Sequence, residues 1–228
     1  MIDSTTEPCF EEDLPAWLVK APIGDDALET ELARLRIFTA AVTGWLSEAQ
    51  GIALYRLARR NLRGDVLEIG SFCGKSTLFL ALGCKHSGGN VITIDPHKPI
   101  SDGGKEQYDP DFQPRVTRTL EEFTNNVQCS GLGDRIKPFV GTSEDAKKAY
   151  GILALKLLFI DGSHDFSDVL LDYSLWHDMI VPGGYLVFHD SNFDGVSRVI
   201  HHHLDRSRYQ LDGTIESGRW AMTLWLKL

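Results

Sequence analysis

Residues 66–77 contain an acid and two glycines, the second of which begins a Gly-Lys-Ser-Thr run. This combination is typical of a nucleotide-binding site. The run resembles the end of a phosphate-binding P-loop, but that motif needs four residues between its glycines. Gly70 and Gly74 are separated by three residues. Read from Glu68, the segment suits a ligand with an ammonium group, because a carboxylate attracts the cation and glycine lets the backbone approach. The spacing favours this second interpretation.

Two further polar residues follow other predicted strands, at the edge where doubly wound sheets bind their ligands. Asp95 follows Ile94 and could accept both hydroxyls of a ribose, although an Asp before a proline is also a common turn former. Ser143 is predicted to cap a helix and could lie beside an adenine ring. The sequence leaves both roles open for each residue.

Asp161 and His164 also follow a predicted strand, and His189 and Asp190 follow the next one. An alcohol is a poor nucleophile at neutral pH, and a histidine can act as the base that removes its proton. His164 could be such a base, or it could cap the helix that follows. The neighbouring Asp161 favours the catalytic role.

Predicted strands and helices alternate along the chain, which indicates an α/β protein with a doubly wound, mostly parallel sheet. Two helices come first, one with apolar residues at helical spacing over residues 28–45 and one that begins at Ser47, where Gln50 completes a capping box. Gly218 joins the last two strands without a helix, so we expect a terminal antiparallel hairpin. The predicted strands are residues 66–69, 91–94, 136–140, 155–160, 185–188, 209–211 and 220–226.

The 228 residues, 43% of them hydrophobic, can bury one sizeable core. We expect a tail and helical cap over residues 1–60 and a cofactor-binding domain over residues 61–228, with residues 96–114 as a lid. The formal net charge of -9 argues against nucleic acid as a partner. The four cysteines lack metal-site spacing, and neither a signal peptide nor a membrane-spanning run is evident, so we expect a cytoplasmic protein.

From about Trp45 to Asn192 the chain resembles the class I S-adenosylmethionine (SAM)-dependent methyltransferases. Within them it is most similar to the branch of macrolide and antibiotic-sugar O-methyltransferases and cephalosporin-hydroxylase-like proteins. The resemblance implies a Rossmann-like, seven-stranded sheet with a C-terminal antiparallel hairpin. The residues that carry it are the run from Glu68 to Thr77, Ile94-Asp95, the segment from Ile160 to His164, and Pro182-Gly183-Gly184 leading to His189-Asp190. The predicted SAM-binding residues are Glu68, Gly70, Ser71, Gly74, Ser76, Asp95, Ser143 and Asp161.

The resemblance also implies a metal site. The family's topology makes the fourth and fifth strands neighbours, about 4.8 Å apart, so Asp161 and Asp190 would repel each other unless a cation lay between them. In metal-dependent members an acid at the position of Asp161 binds Mg²⁺, and an adjacent acidic pair follows the fifth strand. Here His189 replaces the first acid of that pair, which favours a transition metal or no metal at all. The predicted ligands of Mg²⁺ or another divalent ion are Asp161, His189 and Asp190.

The sequence therefore predicts an enzyme that transfers a methyl group from SAM to a hydroxyl of a small molecule, such as a sugar or another natural product. His164 would be the base, and Asp161 would orient the acceptor or a metal. The expected partner is this small-molecule acceptor, and the protein could also form a homo-oligomer. Two alternatives stay open, namely a P-loop ATPase or kinase that uses Lys75, and a SAM-fold binding protein without catalysis.

Overall fold

The computed structural model describes residues 26–98, 118–218 and 220–228. The predicted tail and most of the predicted lid lie outside these ranges. The helices of the described residues are α1 (Asp26–Ala40), α2 (Glu48–Ala58), α3 (Lys75–Ser87), α4 (Thr119–Ser130), α5 (Ser143–Tyr150), α6 (Phe166–Trp176) and α7 (Asp194–His202). The strands are β1 (Asp65–Ile69), β2 (Val91–Asp95), β3 (Ile136–Val140), β4 (Leu155–Ile160), β5 (Ile180–Phe188), β6 (Tyr209–Ser217) and β7 (Trp220–Lys227).

The strands form one seven-stranded sheet in the order β3-β2-β1-β4-β5-β7-β6. Strands β1 to β5 run parallel, whereas β7 is antiparallel to both β5 and β6. The predicted fold class and C-terminal hairpin are confirmed. The strand order reverses between β1 and β4, and a ligand of such a sheet binds beyond the carboxyl ends of the strands at this switch point.

Helices cover both faces of the sheet because the parallel strands are apolar on both sides. Val66 in β1 faces the layer that holds α1, α2 and α3, whereas Leu67 faces the opposite layer with α6 and α7. Side chains alternate between the faces of a strand, so Glu68 faces the same layer as Val66. This alternation directs the side chain of Glu68 toward α3.

Strand β5 begins five residues before its predicted start at Tyr185. Ile180 pairs with Leu155, and the pairing then shifts, so that Tyr185 pairs with Leu157. Pro182 has no N–H group to donate to a ladder, which explains why the regular pairing resumes only beyond it.

The predicted start of α2 is confirmed, because Ser47 and Gln50 form a complete capping box. The predicted cap of α5 is wrong. Thr142 is the N-cap residue, and its side chain accepts a hydrogen bond from the backbone N–H of Asp145, whereas Ser143 is the first helical residue. Thr and Ser are both good N-cap residues. The chain path after β3 places Thr142, and not Ser143, at the N-cap position.

Candidate functional site

A cavity of about 620 Å³ opens at the carboxyl ends of the central strands. Its wall combines the glycine loop after β1, the ends of β2, β4 and β5, the start of α5, and the connection between α1 and α2. The predicted site residues in this wall are Gly70, Ser71, Ser76, Asp95, Ser143, Asp161, His164, His189 and Asp190. The structure therefore brings nearly all of the predicted site together.

The glycine loop passes very close to the end of β4. Gly70 has a φ of +89°, and a Cβ atom built on it would lie 2.1 Å from the backbone oxygen of Asp161. Only glycine fits this contact, which lets the loop and Asp161 share one wall of the cavity. Gly74, with a φ of +88°, is the N-cap residue of α3.

Three N–H groups of this loop, those of Gly70, Phe72 and Gly74, already have acceptors within the protein. Gly70 donates to the backbone oxygen of Ile94 at 2.9 Å, and Gly74 donates to that of Ser71 at 2.7 Å. Phe72 donates to Oδ2 of Asp95 at 2.8 Å. A P-loop needs its N–H groups free to surround phosphates, and these three groups are not free for that role. Lys75 is the residue that a P-loop protein would use to bind a phosphate, and here its Nζ lies 3.5 Å from the backbone oxygen of Gly44.

Asp95 ends β2 with its carboxylate held between two backbone donors. Oδ2 accepts from Phe72, and Oδ1 accepts from the N–H of His97 at 2.7 Å. Each carboxylate oxygen has a second lone pair, so both can still accept a ligand hydroxyl. The position fits the predicted contact with a ribose. The hydrogen bond from Phe72 shows that Asp95 also holds the glycine loop in place.

Glu68 does not reach the cavity wall. It is fully buried, and its two oxygens accept hydrogen bonds from the hydroxyls of Ser76 and Thr77. Burial raises the pKa of Glu68 to about 8, against the opposing effect of these two hydroxyls. The predicted contact of Glu68 with a cofactor ammonium stays a prediction, and what the geometry shows is a link between β1 and α3.

The three serines predicted to bind the cofactor differ in how their hydroxyls are used. Ser76 donates to Glu68. Ser143 accepts from the indole N–H of Trp176 at 2.8 Å. Ser71 Oγ is buried and has no hydrogen-bond partner among the described residues. Ser71 is therefore the serine with free bonding capacity at the cavity.

Two aspartates and two histidines meet where β4 and β5 end. His189 Nδ1 lies 3.0 Å from Oδ1 of Asp161 and 3.1 Å from Oδ2 of Asp190. His164 Nε2 lies 2.9 Å from the same Oδ2 of Asp190. The opposite nitrogen of His189, Nε2, lies 3.3 Å from Oε1 of Gln50 in α2.

Charge and burial shift the pKa values in this cluster. Burial raises the pKa of Asp161 above its usual value, against the effect of His189. Burial also acts to raise the pKa of Asp190, but its contacts with His164 and His189 outweigh burial and lower the pKa to about 2. Burial lowers the pKa of His189, but Asp161 and Asp190 outweigh it and raise the pKa to about 10. The cluster therefore attracts a positive charge, either a proton or a metal ion.

The same residues fit a divalent metal ion. Asp161, His164 and Asp190 each offer one ligand atom, and these atoms all lie within 4.8 Å of one another. His189 Nδ1 and Asp190 Oδ1 are buried and form no hydrogen bond with any described residue. Carboxylate oxygens and imidazole nitrogens together suit a first-row transition metal. The predicted ligand set of Asp161, His189 and Asp190 stays a prediction, and His164 adjoins it.

Aromatic side chains line the cavity beside the cluster. The ring of Phe193 stacks on His164 with centroids 4.5 Å apart, and the ring of Trp220 stacks on Phe193 at 5.1 Å. Trp45 and Phe72 form a second pair in the wall, 5.4 Å apart. These four aromatic residues were not predicted as site residues, because nothing in their spacing distinguishes a cavity wall from a core.

A family model described as a methyltransferase domain matches residues 67–191, which is more than half of the chain. The chain belongs to the methyltransferase-domain family. This confirms the predicted resemblance and the predicted class of enzyme. The alternative of a P-loop ATPase or kinase is set aside, in agreement with the bonded N–H groups of Gly70, Phe72 and Gly74.

Solved structures share the fold of this methyltransferase. The cofactor-bound protein Rv0187 from MTB is 22% identical, with 93% of this chain and 94% of that chain covered and a TM-score of 0.61. An O-methyltransferase from Bacillus cereus in complex with SAH is 18% identical, with coverage of 93% and 95% and a TM-score of 0.58. TomG from Streptomyces achromogenes, an O-methyltransferase involved in Tomaymycin synthesis and bound to SAM, is 20% identical, with coverage of 93% and 93% and a TM-score of 0.59.

Across residues 26–98, 118–218 and 220–228, no helix is both long and apolar enough to cross a membrane.

Proposed function

We propose that this methyltransferase uses SAM and methylates a hydroxyl group of a small molecule, such as a sugar or another natural product. The observation that carries the proposal is the pair of His164 and Asp190, which lies in the same cavity wall as Asp161 and the glycine loop. A base and a cofactor loop in one cavity are what transfer to a hydroxyl requires.

The glycine loop and Asp95 would bind the cofactor. Asp95 has free lone pairs for the ribose hydroxyls, and its carboxylate is oriented by Phe72 and His97. Gly70 lets the glycine loop lie against the backbone of Asp161 at the cavity, and the hydroxyl of Ser71 can bind polar groups of SAM there. The TomG structure is a complex with SAM and the Bacillus cereus structure is a complex with SAH, which supports this choice of cofactor.

His164 would remove the acceptor's proton. Asp190 accepts a hydrogen bond from the Nε2–H group of His164, which leaves Nδ1 of His164 as the basic nitrogen. As the hydroxyl oxygen bonds to the methyl carbon, the carbon–sulfur bond breaks, the hydroxyl proton passes to His164, and S-adenosylhomocysteine leaves. Asp161 stabilises the positive charge on the histidine.

A divalent metal held by Asp161, His189 and Asp190 would act as a Lewis acid that lowers the pKa of the acceptor hydroxyl. The residues themselves orient the acceptor. The carboxylates bind its polar end, whereas the rings of Phe193 and Trp220 contact its apolar part. This mixture of acids and aromatic rings favours an acceptor that is polar at one end only.

Calorimetric titration with SAM, S-adenosylhomocysteine and ATP, each with and without EDTA, tests the cofactor. We expect SAM and S-adenosylhomocysteine to bind and ATP not to bind. Asp95→Asn should weaken SAM binding about tenfold, because the neutral amide is a poorer acceptor for the ribose hydroxyls. Equal affinity of this variant would rule out the ribose contact of Asp95, and binding of ATP with Mg²⁺ in place of SAM would overturn the proposal.

Methyl transfer is tested by mass spectrometry of hydroxyl-bearing acceptors incubated with SAM carrying an isotope-labelled methyl group. We expect a labelled methyl ether and one S-adenosylhomocysteine for each methyl group transferred. SAM binding without transfer to any acceptor would instead support the non-catalytic SAM-fold protein.

A further inference from the structure

Gln50 presents a fixed oxygen to the candidate site from outside the cavity. Its Oε1 accepts a hydrogen bond from the backbone N–H of Ser47 at 2.9 Å, as the capping box of α2 requires. A rotated amide would place an NH₂ group against that N–H, so the capping box determines which end of the amide faces His189. The end that faces His189 is therefore an acceptor.

The tautomer of His189 follows from this contact. Nε2 of His189 lies 3.3 Å from Oε1 of Gln50, and Gln50 is fully buried. Since that oxygen can only accept, Nε2 must carry a hydrogen atom. A neutral His189 therefore has its lone pair on Nδ1, which is the nitrogen that faces Asp161 and Asp190.

A lone pair opposite two carboxylates needs a cation, and the direction of the lone pair favours a metal ion over a proton. Nδ1 lies 3.0 and 3.1 Å from the two carboxylate oxygens, which are ordinary hydrogen-bond separations, but a hydrogen placed on Nδ1 is aligned with neither oxygen. Ligand atoms about 2.1 Å from one octahedral ion and at right angles to each other are about 3.0 Å apart. The observed separations match this spacing.

We propose that Gln50 is a positioning residue that holds His189 in its Nε2–H tautomer, so that His189 Nδ1 binds a divalent transition-metal ion together with Asp161 and Asp190. The charges agree, since two carboxylates balance one divalent ion around a neutral imidazole. A nitrogen ligand favours Co²⁺ or Zn²⁺ over Mg²⁺, which prefers oxygen ligands. The inference rests on the proposed function only in placing the ion beside the reacting hydroxyl.

Metal binding is measured without SAM or acceptor, so its outcome is independent of methyl transfer. The protein is dialysed against EDTA and titrated with Co²⁺ and Mg²⁺ by calorimetry, and the visible absorption of Co²⁺ reports nitrogen ligation. We expect Co²⁺ to bind at least tenfold more tightly than Mg²⁺. His189→Asp should remove this preference, because the set of ligands would then be oxygen only.

The role of Gln50 is tested by Gln50→Met, which keeps the length of the side chain but removes the acceptor. Loss of such an outer contact should weaken Co²⁺ binding about 10- to 100-fold. Ser47→Ala is the matched control, since it removes the other half of the capping box but leaves the Gln50 oxygen in place, and it should keep the wild-type affinity. Circular dichroism verifies that both variants are folded. A folded Gln50→Met variant with wild-type affinity would overturn the role of Gln50.

The wild-type protein also decides the question if Gln50→Met does not fold. The ring-nitrogen chemical shifts of His189 in NMR spectra distinguish the neutral tautomers from the doubly protonated ring. With saturating Zn²⁺ we expect one hydrogen, on Nε2. A doubly protonated His189 at saturating Zn²⁺ would show that a proton occupies the place between the two acids, and equal binding of Mg²⁺ and Co²⁺ would show that no nitrogen binds the ion. Either result would overturn the proposal.

Discussion

His164 depends on three neighbours for its position in the cavity. Asp190 lies 2.9 Å from its Nε2, Phe193 stacks on its ring, and a Cβ atom on Gly195 would meet its backbone oxygen at 2.1 Å. These contacts hold the ring beside Asp161 with 17% of its side chain exposed, so the imidazole can reach a substrate without moving. A base held in place in this way needs little reorganisation.

Replacing His164 with alanine tests its role at the residue scale. In the proposed mechanism this variant loses the base, and turnover should fall by about 10²- to 10⁴-fold. The affinity for SAM should stay within about twofold, since the proposed cofactor contacts come from other residues. Turnover is measured by mass spectrometry and affinity by calorimetry. His202→Ala, an exposed histidine on α7, is the control and should behave as wild type. Unchanged turnover in His164→Ala would remove His164 from the mechanism.

Glu68 joins two elements, β1 and α3, at the point where the glycine loop begins. The alternation of β1 directs its carboxylate toward α3, where Ser76 and Thr77 donate to it. Burial raises its pKa to about 8, well above the unfolded value of 4.5. Between these two pH values the unfolded chain binds fewer protons than the folded chain, so the contribution of Glu68 to stability falls as the pH rises.

Glu68→Gln should remove this pH dependence while keeping an oxygen acceptor for the hydroxyls. From pH 5 to pH 8 the variant should gain stability relative to wild type by a few kcal/mol, and each kcal/mol corresponds to roughly 2–4 °C in Tm for a chain of this size. Thermal unfolding is followed by circular dichroism at both pH values. Glu121→Gln, an exposed glutamate in α4, should show no such trend. A constant difference between Glu68→Gln and wild type would mean that Glu68 is ionised in the folded protein.

The helical cap and the sheet share one core at the scale of the whole molecule. Leu32 of α1 and Leu54 of α2 belong to the same buried cluster as Phe79 of α3 and Leu157 of β4. Helices α2 and α3 approach closely, because a Cβ atom on Gly51 would lie 2.4 Å from the ring of Phe79. Gln50 extends this contact to His189 in the site. We therefore expect the cap and the sheet to unfold together.

Leu54→Ala tests this cooperativity. Leu54 is fully buried, so its truncation should cost about 2–5 kcal/mol and lower the Tm of the whole chain by roughly 5–15 °C. Far-ultraviolet circular dichroism and tryptophan fluorescence should show one coincident transition. Ile37→Ala is the control in α1, since Ile37 is 78% exposed and should change Tm little. Two separate transitions would show that the cap unfolds independently of the sheet.

Much of the fold follows from local sequence patterns. Apolar runs such as residues 155–160, interrupted by helical segments, determined the alternation of strands and helices, and a glycine turn without a helix determined the terminal hairpin. Asp95, Asp161 and His164 could be predicted as site residues because each follows a strand, and the carboxyl ends of parallel strands meet at one edge.

Other features depend on distant parts of the chain meeting in space. The face to which Glu68 points depends on how β1 packs between its layers, so the same acid that marked the nucleotide site is turned toward α3. Gln50 and His189 are 139 residues apart, and their capping-box and strand-end patterns do not indicate a contact between them. The sequence by itself determined the fold class and most of the strand-end residues, because strand periodicity and strand ends are local. Only the tertiary structure decided which nitrogen of His189 faces the acids, because that depends on a helix packed against the sheet.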